Sequence, residues 1–170
     1  MNLELEILKE HSKRQTMIIA KWIGGDETRF AQLMQLFLYG ESLIVQRSAW
    51  IMSTCADHHP ALIKPWLKKL LQKIKEPNVH NAVPRNILRI LQFVDIPRPL
   101  QGIVTNICFD FLISKEIPVA IKAFSMTVLA NIAQKEPDLK NEIISTIQLM
   151  LPYGSAGIQS RGRKVLKQLI

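Results

Sequence analysis

VQRSAWIMSTCADHHPALIKPWLKKLL, residues 45–71, is the stretch on which the fold turns, because it returns twice further along the chain. VPRNILRILQFVDIPRPLQGIVTNICFDFL, residues 83–112, and AIKAFSMTVLANIAQKEPDLKNEIISTIQLML, residues 120–151, align with it after small length differences. A basic residue recurs as Arg47, Arg85 and Lys122, about 38 residues apart, and Arg161 continues the series. A proline with a leucine close behind recurs as Pro60 and Leu62, Pro97 and Leu100, Pro137 and Leu139. Self-similarity at one period marks a chain that buries its core by stacking copies of a single supersecondary unit.

Each copy reads as two helices around the proline. From Asp138 to Leu151, Ile143, Ile144, Ile147, Met150 and Leu151 recur at the spacing of one helical face, with Glu142, Ser145 and Gln148 on the other. The preceding segment, Val119 to Ala133, is apolar nearly all round, so it must be covered on several sides. Pro84 and Pro118 fall where a first helical turn accepts a residue without an N–H. Gly24 and Gly25 before Asp26 read as a helix stop followed by an N-cap. Gly40 and the Pro152-Tyr153-Gly154 run end other helices. Helices are expected over 2–23, with a break near His11 and Ser12, and over 26–39, 61–75, 99–114, 119–133, 138–151 and 158–170. No segment alternates with period two over a strand's length, so the class is all-α.

With 170 residues, 48% of them hydrophobic and 21% charged, the chain is expected to form one domain over 1–170 with a real core. The formal net charge of +8 favours an anionic partner, and it equally serves solubility. Apolar runs such as Met17 to Ala20 fall far short of the roughly 18 residues a membrane span needs. The opening MNLELEILKEHSKR has no signal-peptide apolar region, so the expected location is the cytoplasm, with no membrane contact. Cys55 and Cys108, far apart, read as reduced core residues.

The repeated turn proline with its leucine, the two-helix hydrophobic pattern and an acidic residue six positions before a basic one together resemble HEAT repeats. Glu41 with Arg47 and Glu116 with Lys122 match the charged pair, while Arg85 and Arg161 lack the acidic member. The resemblance covers 41–170 and extends weakly into 1–40, which is expected to be an atypical capping hairpin. It implies a right-handed α-α superhelix of about four helical hairpins plus a closing C-terminal helix. It also implies that Glu41, Arg47, Arg85, Glu116 and Lys122 belong to an inter-repeat ladder, and that the second helices line a partner-binding groove.

CADHHPALIKPW, residues 55–66, gathers Cys55, Asp57, His58 and His59 as a metal site would, but its counterparts LQFVDIPRPL and IAQKEPDL place it at the turn within a repeat. Adjacent helical histidines point about 100° apart, and no spaced ligand pairs accompany them, so neither metal nor cofactor is expected. No nucleophile elbow, phosphate loop or His-Glu-x-x-His motif occurs, and no catalytic residue is assigned. Asn106 and Asp110, one turn apart, read as solvated side chains, and Trp50 and Trp66 as core.

The strongest surface feature is the helix expected over 61–75. Trp66, Leu67, Leu70, Leu71 and Ile74 fill one arc, and Lys64, Lys68, Lys69, Lys73 and Lys75 the other. The closing helix adds Arg161, Arg163, Lys164 and Lys167. The expected function is a non-catalytic interaction module for a protein or peptide, acidic in character, with Lys64, Lys68, Lys69, Lys73, Arg161, Arg163 and Lys164 at the interface.

The alternative is nucleic-acid binding, which a weaker resemblance to the HEAT-like alkylpurine DNA glycosylases implies, since these use a basic groove with aromatic and acidic residues. Against it, Gln101, Thr105, Asn106 and Asp110 break any continuous basic track. The lyase label attached to some short bacterial HEAT-like chains is rejected, because the Gly-Ser-Ser-x-Met-Pro-x-Lys-x-Asn loop of the fumarase and adenylosuccinate lyase family is missing.

Overall fold

A computed structural model describes residues 1–170, which form ten α-helices joined by short turns, with no strand. The chain divides into two compact units, residues 1–90 and 91–170.

The first unit holds α1 (Leu3–Lys9), α2 (Lys13–Ile23), α3 (Glu27–Tyr39), α4 (Ser42–His58), α5 (Leu67–Ile74) and α6 (Ala82–Leu91), the last ending at the boundary. The side chains of Asn2, Ser12 and Asp26 cap the first three helices, accepting hydrogen bonds from the N–H groups of Leu5, Gln15 and Arg29. The break expected near His11 and Ser12 is the gap between α1 and α2. Gly24 closes α2 at a φ of 53°, a left-handed conformation that favours glycine. α1, α2 and α3 all pack on α4, the longest helix, whose Ile51, Met52 and Cys55 lie in the core. Phe30, Leu33, Met34 and Phe37 of α3 are almost wholly shielded from solvent.

The helix expected over 61–75 is two elements. Residues Pro60–Trp66 wind as a tighter 3-10 helix and α5 starts only at Leu67. Pro65 has no N–H to donate to the Ala61 carbonyl, so an α-helical ladder could not run through it. The same applies at Pro137–Leu139 and Leu151–Tyr153, short 3-10 turns that flank α9 (Lys140–Met150).

In the second unit α7 (Arg98–Ile113), α9 and α10 (Ala156–Leu169) all pack on α8 (Val119–Ala133). Nine of its fifteen residues are buried, Ile121, Met126, Val128 and Leu129 among them. This is the cover that a helix apolar on all sides requires. Ser125 is fully buried there and satisfies its hydroxyl by donating to the Ile121 carbonyl at 2.8 Å.

Candidate interaction surface

The lysines of 64–75 separate by environment. Lys64, Lys68, Lys69 and Lys75 are exposed, while Lys73 is buried. Its ammonium donates to the Leu38 carbonyl at 2.8 Å and to Glu76 at 2.7 Å. α3 ends at Tyr39, so Leu38 carries one of the carbonyls a helix leaves unpaired, and a buried cation satisfies it. The expected basic row therefore loses Lys73, whose place on the wheel faces α3 and not solvent.

What remains is organised around Trp66. The ring is half-buried, and the Lys69 ammonium stands 5.1 Å from its centroid, within cation–π range. Trp66 and Lys69 line a cavity of about 300 Å³ together with Phe30, Leu62 and Pro65, and Glu27 contributes a carboxylate at the same place. Trp66, expected in the core, is thus partly at the surface, at the rim of this cavity.

In α10, Arg163, Lys164 and Lys167 are exposed, and Arg163 donates to Gln159 at 3.2 Å. Arg161 is only half-exposed. It donates to Thr127 Oγ1 at 2.6 Å, Gln92 Oε1 at 3.0 Å and the Ala123 carbonyl at 3.4 Å, and its guanidinium lies 6.0 Å from the Phe124 ring. These bonds hold it inside the second unit, so it does not belong to an open cationic face.

The expected ladder residues Glu41, Arg47, Arg85, Glu116 and Lys122 take part in no ion pair within a repeat or between repeats. Arg47 donates to the carbonyls of Ile7 at 3.2 Å and Leu8 at 2.7 Å, at the last turn of α1. Lys122 makes no ion pair with Glu116, and Arg85 is exposed. Glu41 and Glu116 are exposed as well, where an ion pair adds little to solvation by water.

At the 55–59 turn, His58 and His59 are exposed, and Asp57 meets Arg89 of α6 at 2.5 Å. No cluster of three or more histidine, cysteine, aspartate or glutamate side chains stands in metal-binding proximity. Burial pushes the Cys55 thiol from 9.0 up to about 12. It does the same at Cys108, against a smaller opposing effect of the Ser125 hydrogen bond. Both thiols are therefore held protonated and unreactive at neutral pH. Asn106 and Asp110 are exposed. Trp50 is half-buried with the His11 ring edge-on at 5.7 Å, and Trp22 is stacked by Arg29 at 4.6 Å. The buried pair of Ser53 and Asn86, joined at 2.8 Å, was not foreseen; Asn86 also donates to the Ala82 carbonyl. A lone asparagine inside the apolar run of α6 was its signal in the sequence.

The family of HEAT repeat domains matches residues 3–169, and the chain belongs to it. No curated protein and no solved structure matches the chain. Its fold is thus of the scaffold kind, in which stacked helical hairpins offer an extended surface for interactions. None of the helices is long and apolar enough to cross a membrane.

Proposed function

We propose that residues 1–170 act as one non-catalytic interaction module, whose second helices bind an acidic segment of a partner protein. The observation that carries this reading is the Trp66 and Lys69 pair at the mouth of a cavity, with Lys64 and Lys68 exposed beside it. A half-buried aromatic ring with a cation on its face offers the mix of apolar area and charge that anchors interfaces. Arg163 and Lys164 supply a separate cationic patch on α10. The non-catalytic part rests on the lack of any catalytic motif and on two thiols held as neutral core groups.

The test is fluorescence anisotropy of a short labelled acidic peptide, and of labelled duplex and single-stranded DNA, at low and physiological salt. The variant for comparison changes Lys64, Lys68 and Lys69 to Glu and spares Lys73, which is structural. Peptide binding at physiological salt that the variant loses by about tenfold or more supports the module. DNA binding with a steep salt slope, lost in the same variant, would replace it with the nucleic-acid reading.

A further inference from the structure

α2 carries a second surface that the proposed function does not use. Gln15, Thr16, Ile19, Ala20 and Ile23 face inward, and Lys13, Arg14, Met17, Ile18 and Lys21 are exposed. The exposed set follows the i, i+1, i+4, i+5, i+8 spacing of a single helical face. Met17 and Ile18 are 41% and 43% exposed, bracketed by the three cations.

That positive charge is unbalanced. Glu10 is the single carboxylate in residues 7–25, and Lys13, Arg14 and Lys21 have no side-chain partner. Nearby acids are engaged elsewhere. Glu6 accepts from Gln15 at 2.7 Å, Asp26 caps α3 and pairs with Arg29, and Asp57 pairs with Arg89.

Where α2 ends, the turn after α4 comes up beside it and leaves a cavity of about 420 Å³. Ala20 and Cys55, both buried, form its apolar floor, and Met17, Lys21, His58 and His59 form its rim. The His59 ring lies against Gly25, where a Cβ would come within 3.4 Å of Nδ1. The face thus leads into a concavity with more than enough room for one large side chain, with a thiol that stays neutral beneath it.

We propose that this face of α2 and the adjoining cavity bind an acidic segment of a partner protein. One apolar side chain of the segment enters the cavity between Met17 and the histidines, and its carboxylates lie over Lys13, Arg14 and Lys21. Charge complementarity selects an acidic occupant, and a concavity with an apolar floor accepts a discrete apolar side chain. The site lies on α2 and the turn after α4, so it is separate from the Trp66 surface on α5 and stands or falls independently of it.

The experiment is selection of a displayed library of random peptides on the intact chain, followed by titration of the enriched peptides into nitrogen-labelled protein. The expected sequences are rich in Asp and Glu with an apolar residue among them, and they shift amide signals in residues 13–24 and 55–59. Their affinity should fall by at least about tenfold in the Lys13→Glu/Lys21→Glu double variant and in Met17→Lys. It should hold in the Lys64, Lys68 and Lys69 to Glu variant. All these changes are at exposed positions, and a circular-dichroism melt verifies that the fold persists. Enrichment of peptides without carboxylates, shifts confined to α5, or no enrichment would overturn the proposal. So would binding to phosphatidylglycerol vesicles that the enriched peptides cannot displace.

Discussion

Arg47 and Arg161 hold the same place in their repeats as Arg85 and Lys122, yet the two outer residues are tied down and the two inner ones are not. Arg47 reaches the last carbonyls of α1, and Arg161 reaches Thr127, Gln92 and the Ala123 carbonyl. Arg85 is exposed and Lys122 half-exposed, without polar partners. A basic residue at a repeated position therefore does not define an ion-pair ladder. What it does depends on whether an unpaired carbonyl or hydroxyl lies within its reach.

Four measurements would break or sharpen that comparison. The largest effect is expected where packing alone holds an inner repeat: Leu88 is completely shielded, and Leu88→Ala should lower stability by about 2–5 kcal/mol in urea denaturation. Next come the cations that satisfy backbone groups. Lys73→Ala and Arg161→Ala should each cost about 2 kcal/mol, and the more exposed Arg47→Ala about 1 kcal/mol, by shift of the denaturation midpoint. Equal losses at Arg47 and Arg85 would show that the carbonyl contacts carry no stability. Arg85→Ala and Lys122→Ala should stay within about 0.5 kcal/mol of the parent chain. The smallest effect at neutral pH belongs to the thiols. Their folded values near 12 lie above the ordinary 9.0, so their contribution is intact below pH 9 and is lost as pH rises toward 12. Thermal melts across that range should show a falling midpoint, and Cys55→Ser/Cys108→Ser should flatten the fall.

The contrast within 64–75 makes the same point at shorter range. Lys68 and Lys69 are solvated, whereas Lys73, on the same helix, is buried against the end of α3. Helical periodicity assigned all of them to one arc, since a wheel records angle and not what stands opposite. Pro65 shifted the start of α5 to Leu67, and Trp66, expected in the core, stands at a half-buried rim. The break at His11 and Ser12, the glycine stop at Gly24 and the span of α8 were legible because capping, left-handed turns and all-round apolarity are local properties. The Lys13, Arg14, Met17, Ile18 and Lys21 face was legible in principle by the same periodicity, but its cavity was not.

By itself, the sequence determined the repeat period, the all-α class and the HEAT family, because each rests on spacing along the chain. Only the tertiary structure decided which cations face solvent and which close a helix end. It also decided that the 55–59 turn adjoins the end of α2, where the cavity lies. The physical reason is that a charge's role is set by its partners, and those partners lie up to 69 residues away, as for Arg161 and Gln92.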